Sequence, residues 1–333
     1  MEKNFGSIRD VARETGLSTA TISRVMNGSE NVSPATRQKV LEACEKLDYL
    51  PNPAARALST KQSRTIAAII PTIEHSVFAK YIAAIEKSLD ARGYSLVLAI
   101  SNNKPDEEPI SARKLLGMGA QAFVLTGAKH TSTLLDLLVR RDVPHIFTSV
   151  WNPGNIRPTI GYDNSGLAGK AVEYLASKGH RNITVLHGKT VESDRTVARV
   201  EGAKAAASDD VSLHFYETDL HVAGGKAATK IALREHPENT AMLCFSDVLA
   251  LGAYFGLSEA GKDVPKDVSV MGFDNLDWST EIVPPLTTID LPASEMGAEV
   301  ATQIMDLLEK KRELHSVELS SDIIERGSVL DLN

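Results

Sequence analysis

The chain of 333 residues contains only two cysteines, Cys44 and Cys244. There is no CxxC and no Cys/His ligand spacing, which argues against a disulfide framework and a structural zinc site. No run approaches the ~20 apolar residues that span a bilayer. The first residues, MEKNFGSIRD, are charged and lack the apolar core of a secretory signal, so a cytoplasmic location is expected. Catalytic signatures are missing too: there is no GxSxG, no HExxH, no Walker P-loop and no GxGxxG after a strand. AGGK at 223–226 is a glycine pair inside a helical stretch, not a phosphate loop. Acidic residues are scattered, with no spacing that demands a paired-carboxylate site. The expectation is therefore no enzyme, no cofactor and no metal.

What is present is ordinary in bulk and uneven in detail. Hydrophobic residues make up 43% and charged residues 24%, a soluble globular composition, and the length suits two or three domains. The net charge of −7 is not evenly spread. Residues 1–64 hold ten Lys/Arg against seven Asp/Glu, and the remainder holds 26 against 36. A basic head on an acidic body points the head alone toward a polyanion. A slightly basic, solvated helical domain would carry the same charge.

The first 50 residues read as three short helices. Ser7 caps the first, with Ile8, Val11 and Ala12 on one face, and Gly16 ends it. Leu17 fills the turn. Ser18 caps the second, with Ile22 and Val25 facing inward, and Asn27-Gly28 stops it. Ser33-Pro34 starts the third, whose buried stripe is Val40, Leu41, Cys44 and Leu47. Helix, glycine turn, helix is the helix-turn-helix pattern. Around the buried positions of helix two lie Ser18, Thr19, Ala20, Thr21, Ser23 and Arg24. Short polar side chains plus one arginine suit a helix lying in the major groove. A three-helix bundle with a polar face and no DNA partner fits the same pattern.

The run SIRDVARETGLSTATISRVMNG, followed by VSPATRQKVLEACEKLDYLPNPAARALS, resembles the DNA-binding head of the LacI/GalR (lactose and purine repressor) family. The resemblance covers helix one, the turn, the TxSRVxN recognition helix and the YxPNxxAR linker, and it extends over the rest of the chain. It implies a DNA-binding domain at 1–50, a hinge helix within 51–64 and an effector-binding, dimerising body at 65–333. Candidate DNA contacts are then Ser7, Ser18, Thr19, Ala20, Thr21, Ser23, Arg24, Asn27, Asn52, Ala55, Arg56 and Leu58. In the family, two hinge helices enter the minor groove and a leucine from each wedges a base step. Leu58 holds that position, at a cost of about a few kcal/mol that the bend's contacts offset. Read without the resemblance, 51–64 is a plain linker broken by Pro51 and Pro53.

From residue 65, short apolar runs alternate with helices. Strands are expected at 65–71, 95–100, 122–126 and 145–150, then at 183–187, 212–217, 241–245 and 268–273. Helices fall between them, at 77–92 and 165–179 among others. LTTIDL (286–291) leads into a long helix at 292–311, with strand-like 316–325 after it. This alternation implies parallel sheets covered on both faces. The fold class is α/β: a helix-turn-helix three-helix head plus a core of parallel sheets. The resemblance implies a two-lobed core like a type I periplasmic binding protein. Lobe one is then about 65–162 with 290–322, and lobe two about 163–289 with the C-terminal tail.

Open α/β sheets bind ligands beyond the carboxyl ends of their strands. Those ends offer Thr72 to Phe78, then Thr126, Thr148 and Ser149. In the second half they offer Leu220, His221, Ser246, Asp247, Asp274 and Asn275. The resemblance assigns Arg199 of RVEGAKAA to ligand oxygens, Asp274 of MGFDN to ligand hydroxyls, and Val77 and Phe78 to the cleft's lip. The effector candidates are Val77, Phe78, Thr126, Ser149, Arg199, Leu220, Ser246, Asp247 and Asp274. An arginine and a carboxylate suit a polyhydroxylated or anionic ligand. Asp247 could equally cap helix 247–260, and Arg199 could form a surface ion pair with Glu201 or Asp194. Sugar readers of the family often carry Asp near 149, an aromatic near 220 and Asn at 246. Here these are Ser149, Leu220 and Ser246, which counts against an ordinary hexopyranose. The expected partners are an operator in double-stranded DNA, a small polar metabolite (a sugar or sugar acid), and a second copy forming a homodimer. The helix faces near 77–92 and 275–285 are candidates for the dimer contact. No leucine heptad tail follows. A sugar-binding or sugar-processing protein with an attached DNA-binding head is the alternative.

Overall fold

Ser7 begins the first helix of the head with a reciprocal cap. Its side chain accepts the Asp10 amide while the Asp10 carboxylate accepts the Ser7 backbone N–H at 3.0 Å, satisfying two of the helix's orphan donors. The computed structural model describes residues 6–26, 31–50, 62–74, 76–152, 154 and 157–333. Asn27, Asn52, Ala55, Arg56 and Leu58 lie outside the described residues, and with them most of the linker. The chain divides into two units, Met1–Arg64 and Thr65–Asn333.

In the head, α1 (Ile8–Thr15) ends at Gly16, whose φ of 66° is the left-handed conformation that glycine accepts without strain. Helix α2 (Thr19–Met26) starts at Ser18, whose Oγ accepts the Thr21 amide at 3.1 Å. Helix α3 (Pro34–Lys46) has Ser33 as its cap and proline in its first turn. Val11, Ile22, Val25, Val40 and Cys44 are buried between the three. Leu41 was expected in this stripe but is 44% exposed. Ala43 is buried instead, because α3 turns its 40/43/44 side inward.

The second unit is built on two six-stranded sheets. The first runs β11-β5-β4-β3-β1-β2, from β1 (Thr65–Ile70), β2 (Ser95–Ile100), β3 (Ala120–Thr126), β4 (His145–Thr148), β5 (Thr159–Gly161) and β11 (Val317–Glu318). All its pairings are parallel. The second runs β12-β10-β9-β8-β6-β7, from β6 (Asn182–His187), β7 (Ser212–Glu217), β8 (Ala241–Cys244), β9 (Ser269–Asp274), β10 (Thr287–Asp290) and β12 (Ile323–Ile324). Only β12 is antiparallel to its neighbour. The chain thus passes between the sheets three times: after β5, after β10 and after β11. The expected strand at 316–325 is really two short strands, one in each sheet. β8 and β9 are buried along their whole length and β1 from Ile66 on, as parallel strands covered on both faces require.

Helices α4 (Ser76–Asp90), α5 (Glu108–Gly117) and α6 (Ser132–Arg140) belong to the first sheet, and α11 (Ala293–Lys310) packs along α4. Helices α7 (Asn164–Ser177), α8 (Asp194–Ala206), α9 (Val222–Glu235) and α10 (Asp247–Glu259) belong to the second. The pairs α7/α8 and α9/α10 each cross closely. No helix among the described residues is long and apolar enough to cross a membrane.

Candidate functional site

On α2, Ser18, Thr19, Ala20 and Arg24 are exposed, and Thr21 and Ser23 are half-buried, while Ile22 and Val25 anchor the helix. The face opposite the core is therefore short, polar and open, with one guanidinium. Two of its hydroxyls are partly engaged: Ser18 Oγ and Thr21 Oγ1 lie 2.9 Å apart. Ser7 is exposed at the start of α1, where its Oγ donates to Asp10 at 2.6 Å.

In the second unit, a cleft between the two sheets holds about 870 Å3 of space, mouth included. Pro71, Thr72, Val77, Phe78, Tyr81 and Ser149 line it from the first lobe. Gly188, Arg195, Thr196, Arg199, Leu220, Phe245, Ser246 and Asp274 line it from the second, and Tyr162, Leu291 and Met296 from the crossing segments. Both sides mix apolar side chains with a few polar groups, as small-molecule sites commonly do.

Arg199 lies on α8 and is buried, not a surface ion-pair residue. Its Nε donates to Asn164 Oδ1 at 2.9 Å, its Nη1 to the Phe245 carbonyl at 2.8 Å, and its guanidinium sits 3.9 Å over the Phe273 ring. Asn164 in turn donates to the Ser149 carbonyl at 2.9 Å, so the arginine is oriented through the first lobe's β4 end. Burial pulls the Arg199 pKa down, and Tyr162 and Asp274 pull the other way.

Asp274 ends β9 with a φ of 137°, Asn275 follows at 53°, and Ser149 after β4 sits at 64°. Three non-glycine residues in this sparsely populated region, grouped where the strands end, are backbone strain at a site. Asp274 Oδ2 accepts the Ser246 hydroxyl at 3.0 Å and the Asp247 amide at 3.4 Å. Burial first, then the neighbouring Asp247, raise the Asp274 carboxyl to about 7, against the opposing pull of Arg199. Such a group can accept or donate near neutral pH.

Two expected residues stand elsewhere. Asp247 is fully buried but does not line the cleft. Its Oδ1 accepts the Thr288 hydroxyl at 2.6 Å and its Oδ2 the Leu276 amide at 2.8 Å, which pins α10 to the ends of β9 and β10. The cap of α10 is Ser246, not Asp247. Thr126 borders a separate, smaller cavity with Ser101, Glu108 and Lys129. Val77, Phe78, Ser149, Arg199, Leu220, Ser246 and Asp274 are brought together on one cleft. The residues not anticipated are Tyr81, Tyr162, Leu291, Met296, Arg195, Thr196 and the positioning Asn164. Leu291 and Tyr162 stand at the lobe boundaries expected near 290 and 162, which were the available signal.

Contacts also bridge the lobes around the cleft. Asp194 Oδ2 accepts the Ala128 and Lys129 amides at 2.7 and 3.2 Å, and Lys80 pairs with Asp277 at 2.6 Å.

Residues 7–52 match the family of bacterial regulatory proteins of the lacI type, and residues 63–323 match the family of periplasmic binding proteins and sugar binding domains of LacI proteins. The chain belongs to the LacI family. Catabolite control protein A of Priestia megaterium is 33% identical over 296 residues, 88% of this chain and 89% of that protein. The HTH-type transcriptional repressor PurR of Histophilus somni (strain 129Pt) is 31% identical over 339 residues, 98% of this chain and all of that protein. The lac repressor dimer bound to operator and the anti-inducer ONPF superposes with a TM-score of 0.87 at 27% identity, covering 98% of this chain and 99% of that one. This LacI-family chain is a DNA-binding transcriptional repressor, not an enzyme, which removes the sugar-processing alternative.

Proposed function

We propose that this repressor binds a pseudo-palindromic operator as a homodimer, with affinity set by one small polar metabolite in the cleft. The observation that carries the proposal is that buried Arg199 and Asp274 line the cleft from the second lobe together with apolar Leu220, facing Val77 and Phe78 of the first. Arg199 uses Nε and Nη1 on the protein and also meets the Tyr162 side chain, and Asp274 uses Oδ2. A ligand's polar edge would meet the remaining guanidinium N–H groups and Asp274 Oδ1, and its ring would lie against the apolar side chains. A sugar or sugar acid of one ring meets these demands. A purine base is the second reading: Phe78 and Leu220 offer apolar faces to a flat ring, and relatives over nearly the whole chain are named PurR.

The physical requirement is differential binding. A ligand shifts operator affinity only as far as it favours one lobe arrangement over the other. The test is a thermal-shift screen of the full chain against sugars, sugar acids, sugar phosphates and nucleobases. At ~100 times its dissociation constant a ligand adds about 2.7 kcal/mol of stability. The hit is expected to lose affinity at least tenfold in Arg199→Ala, and to change binding to DNA selected from a random duplex pool by the same protein. A hit that binds Arg199→Ala as tightly as wild type overturns the cleft assignment. DNA binding that ignores the hit overturns the effector role.

A further inference from the structure

Strand β7 is an edge of the second sheet, and it carries a side-chain cluster that the cleft does not use. His214 lies on β7, His236 follows the last turn of α9, and Glu238 comes two residues later. The imidazoles of His214 and His236 stack with centroids 3.5 Å apart and planes 15° from parallel. Glu238 Oε1 lies 3.2 Å from His236 Nδ1 and 4.0 Å from His214 Nε2. His214 Nε2 is buried with no hydrogen-bond partner among the described residues.

Two imidazoles beside a carboxylate are the donor set of a divalent transition ion. Donors about 2.0–2.2 Å from one tetrahedral ion lie about 3.3–3.6 Å apart. Glu238 and His236 already approach that closely, and one donor atom from each of the three residues falls within 4.8 Å of the others. Binding an ion requires the stacked rings to turn, since each imidazole donates in its own plane. Oxygen-seeking ions such as magnesium or calcium do not match two nitrogen donors. Sequence spacing hides the set, because its ligands come from a strand and a helix end on either side of α9.

We propose that His214, His236 and Glu238 bind a divalent transition-metal ion of the zinc type, fastening the C-terminal end of α9 to edge strand β7. Solvent completes the coordination. Tyr216 flanks the site, its ring edge-on to His236 and its hydroxyl donating to Glu235 at 2.7 Å. The same β7–α9 segment carries Leu220 of the cleft at its other end.

The experiment titrates chelator-treated full-length protein with zinc chloride by calorimetry and by thermal melting, with magnesium chloride as control. Wild type is expected to take up one tight equivalent of zinc and to melt a few degrees higher with it, and to ignore magnesium. His236→Ala and Glu238→Gln change partly exposed side chains and are each expected to melt like wild type without metal. Both should weaken the tight equivalent at least tenfold. Cobalt(II) in place of zinc should give visible absorption bands of a nitrogen- and oxygen-ligated ion, and both variants should lose them. Zinc binding and melting shifts in His236→Ala equal to wild type, or no tight equivalent in wild type, overturn the proposal.

Discussion

The Asp274 carboxyl makes the folded protein sensitive to pH. Its pKa rises from 3.8 to about 7 on folding, through burial and the nearby Asp247. The folded state therefore holds a proton between about pH 4 and 7 that the unfolded state releases. This contribution to stability is complete below the unfolded value and is lost as pH rises through about 7. Asp274→Asn removes it, so the unfolding free energy of wild type minus that of the variant should fall as pH is raised from 4 to 8. Urea titrations at several pH values read this out, and a flat difference would contradict it. Burial raises the Asp247 carboxyl too, but its oxygens are committed to the scaffold. Its carboxylate holds the Thr288 hydroxyl and the Leu276 amide. Asp247→Ala should cost about 2–6 kcal/mol, since each of the two buried partners left unpaired costs about 1–3 kcal/mol. The contrast marks what was legible at this scale. Strand ends and matched motifs put Arg199 and Asp274 in view, because their positions follow from chain order. Whether an adjacent acid faces the ligand or the scaffold depends on which way a helix's first turn points, and neither spacing nor composition fixes that for Asp247.

Elements were legible where one period dominates. Apolar runs of four to seven residues, separated by amphipathic helices, located β1 to β4 and β6 to β9, and Ser7, Gly16, Ser18 and Ser33-Pro34 located the ends of the head helices. The pattern failed where an element is too short to show a period: β5 has three residues, and β11 and β12 have two each. Their sheet membership is decided by pairing with distant strands. Two predictions belong here. Ser7→Ala removes the reciprocal cap of α1 and should lower the head's stability by about 1 kcal/mol, measured by amide exchange within α1. Of the glycine pair of α9, Gly225 serves the crossing with α10, while Gly224 lies against the Asp219 carbonyl before the helix. A Cβ on Gly225 would lie 2.5 Å from the Leu249 carbonyl oxygen, and backbone cannot yield as a flexible side chain would. Gly225→Ala should therefore destabilise the second unit by about 1–3 kcal/mol, despite alanine's better helix propensity. A melting temperature equal to wild type would show that the helices separate at no cost.

Across the whole molecule, the sensitive quantity is the balance between lobe arrangements, and Asp194 bears on it directly. It stands in the first turn of α8 in the second lobe, yet its Oδ2 accepts the Ala128 and Lys129 amides from the loop after β3 in the first. Hydrogen bonds to a charged acceptor are worth about 1.5–3 kcal/mol each, and they exist only while the lobes hold this arrangement. Asp194→Ala should shift the population away from it. If the effector binds this arrangement, its apparent affinity falls by the lost fraction of competent molecules. A drop of about tenfold corresponds to 1.4 kcal/mol, less than one such bond. The variant's operator affinity without ligand should move opposite to the change the effector causes in wild type, whichever sign that has, because both act on one equilibrium. Effector titration and operator titration of the same variant check the two halves. An unchanged effector affinity would mean that these contacts form in both arrangements, and that the lobes are held by other bridges such as Lys80 to Asp277.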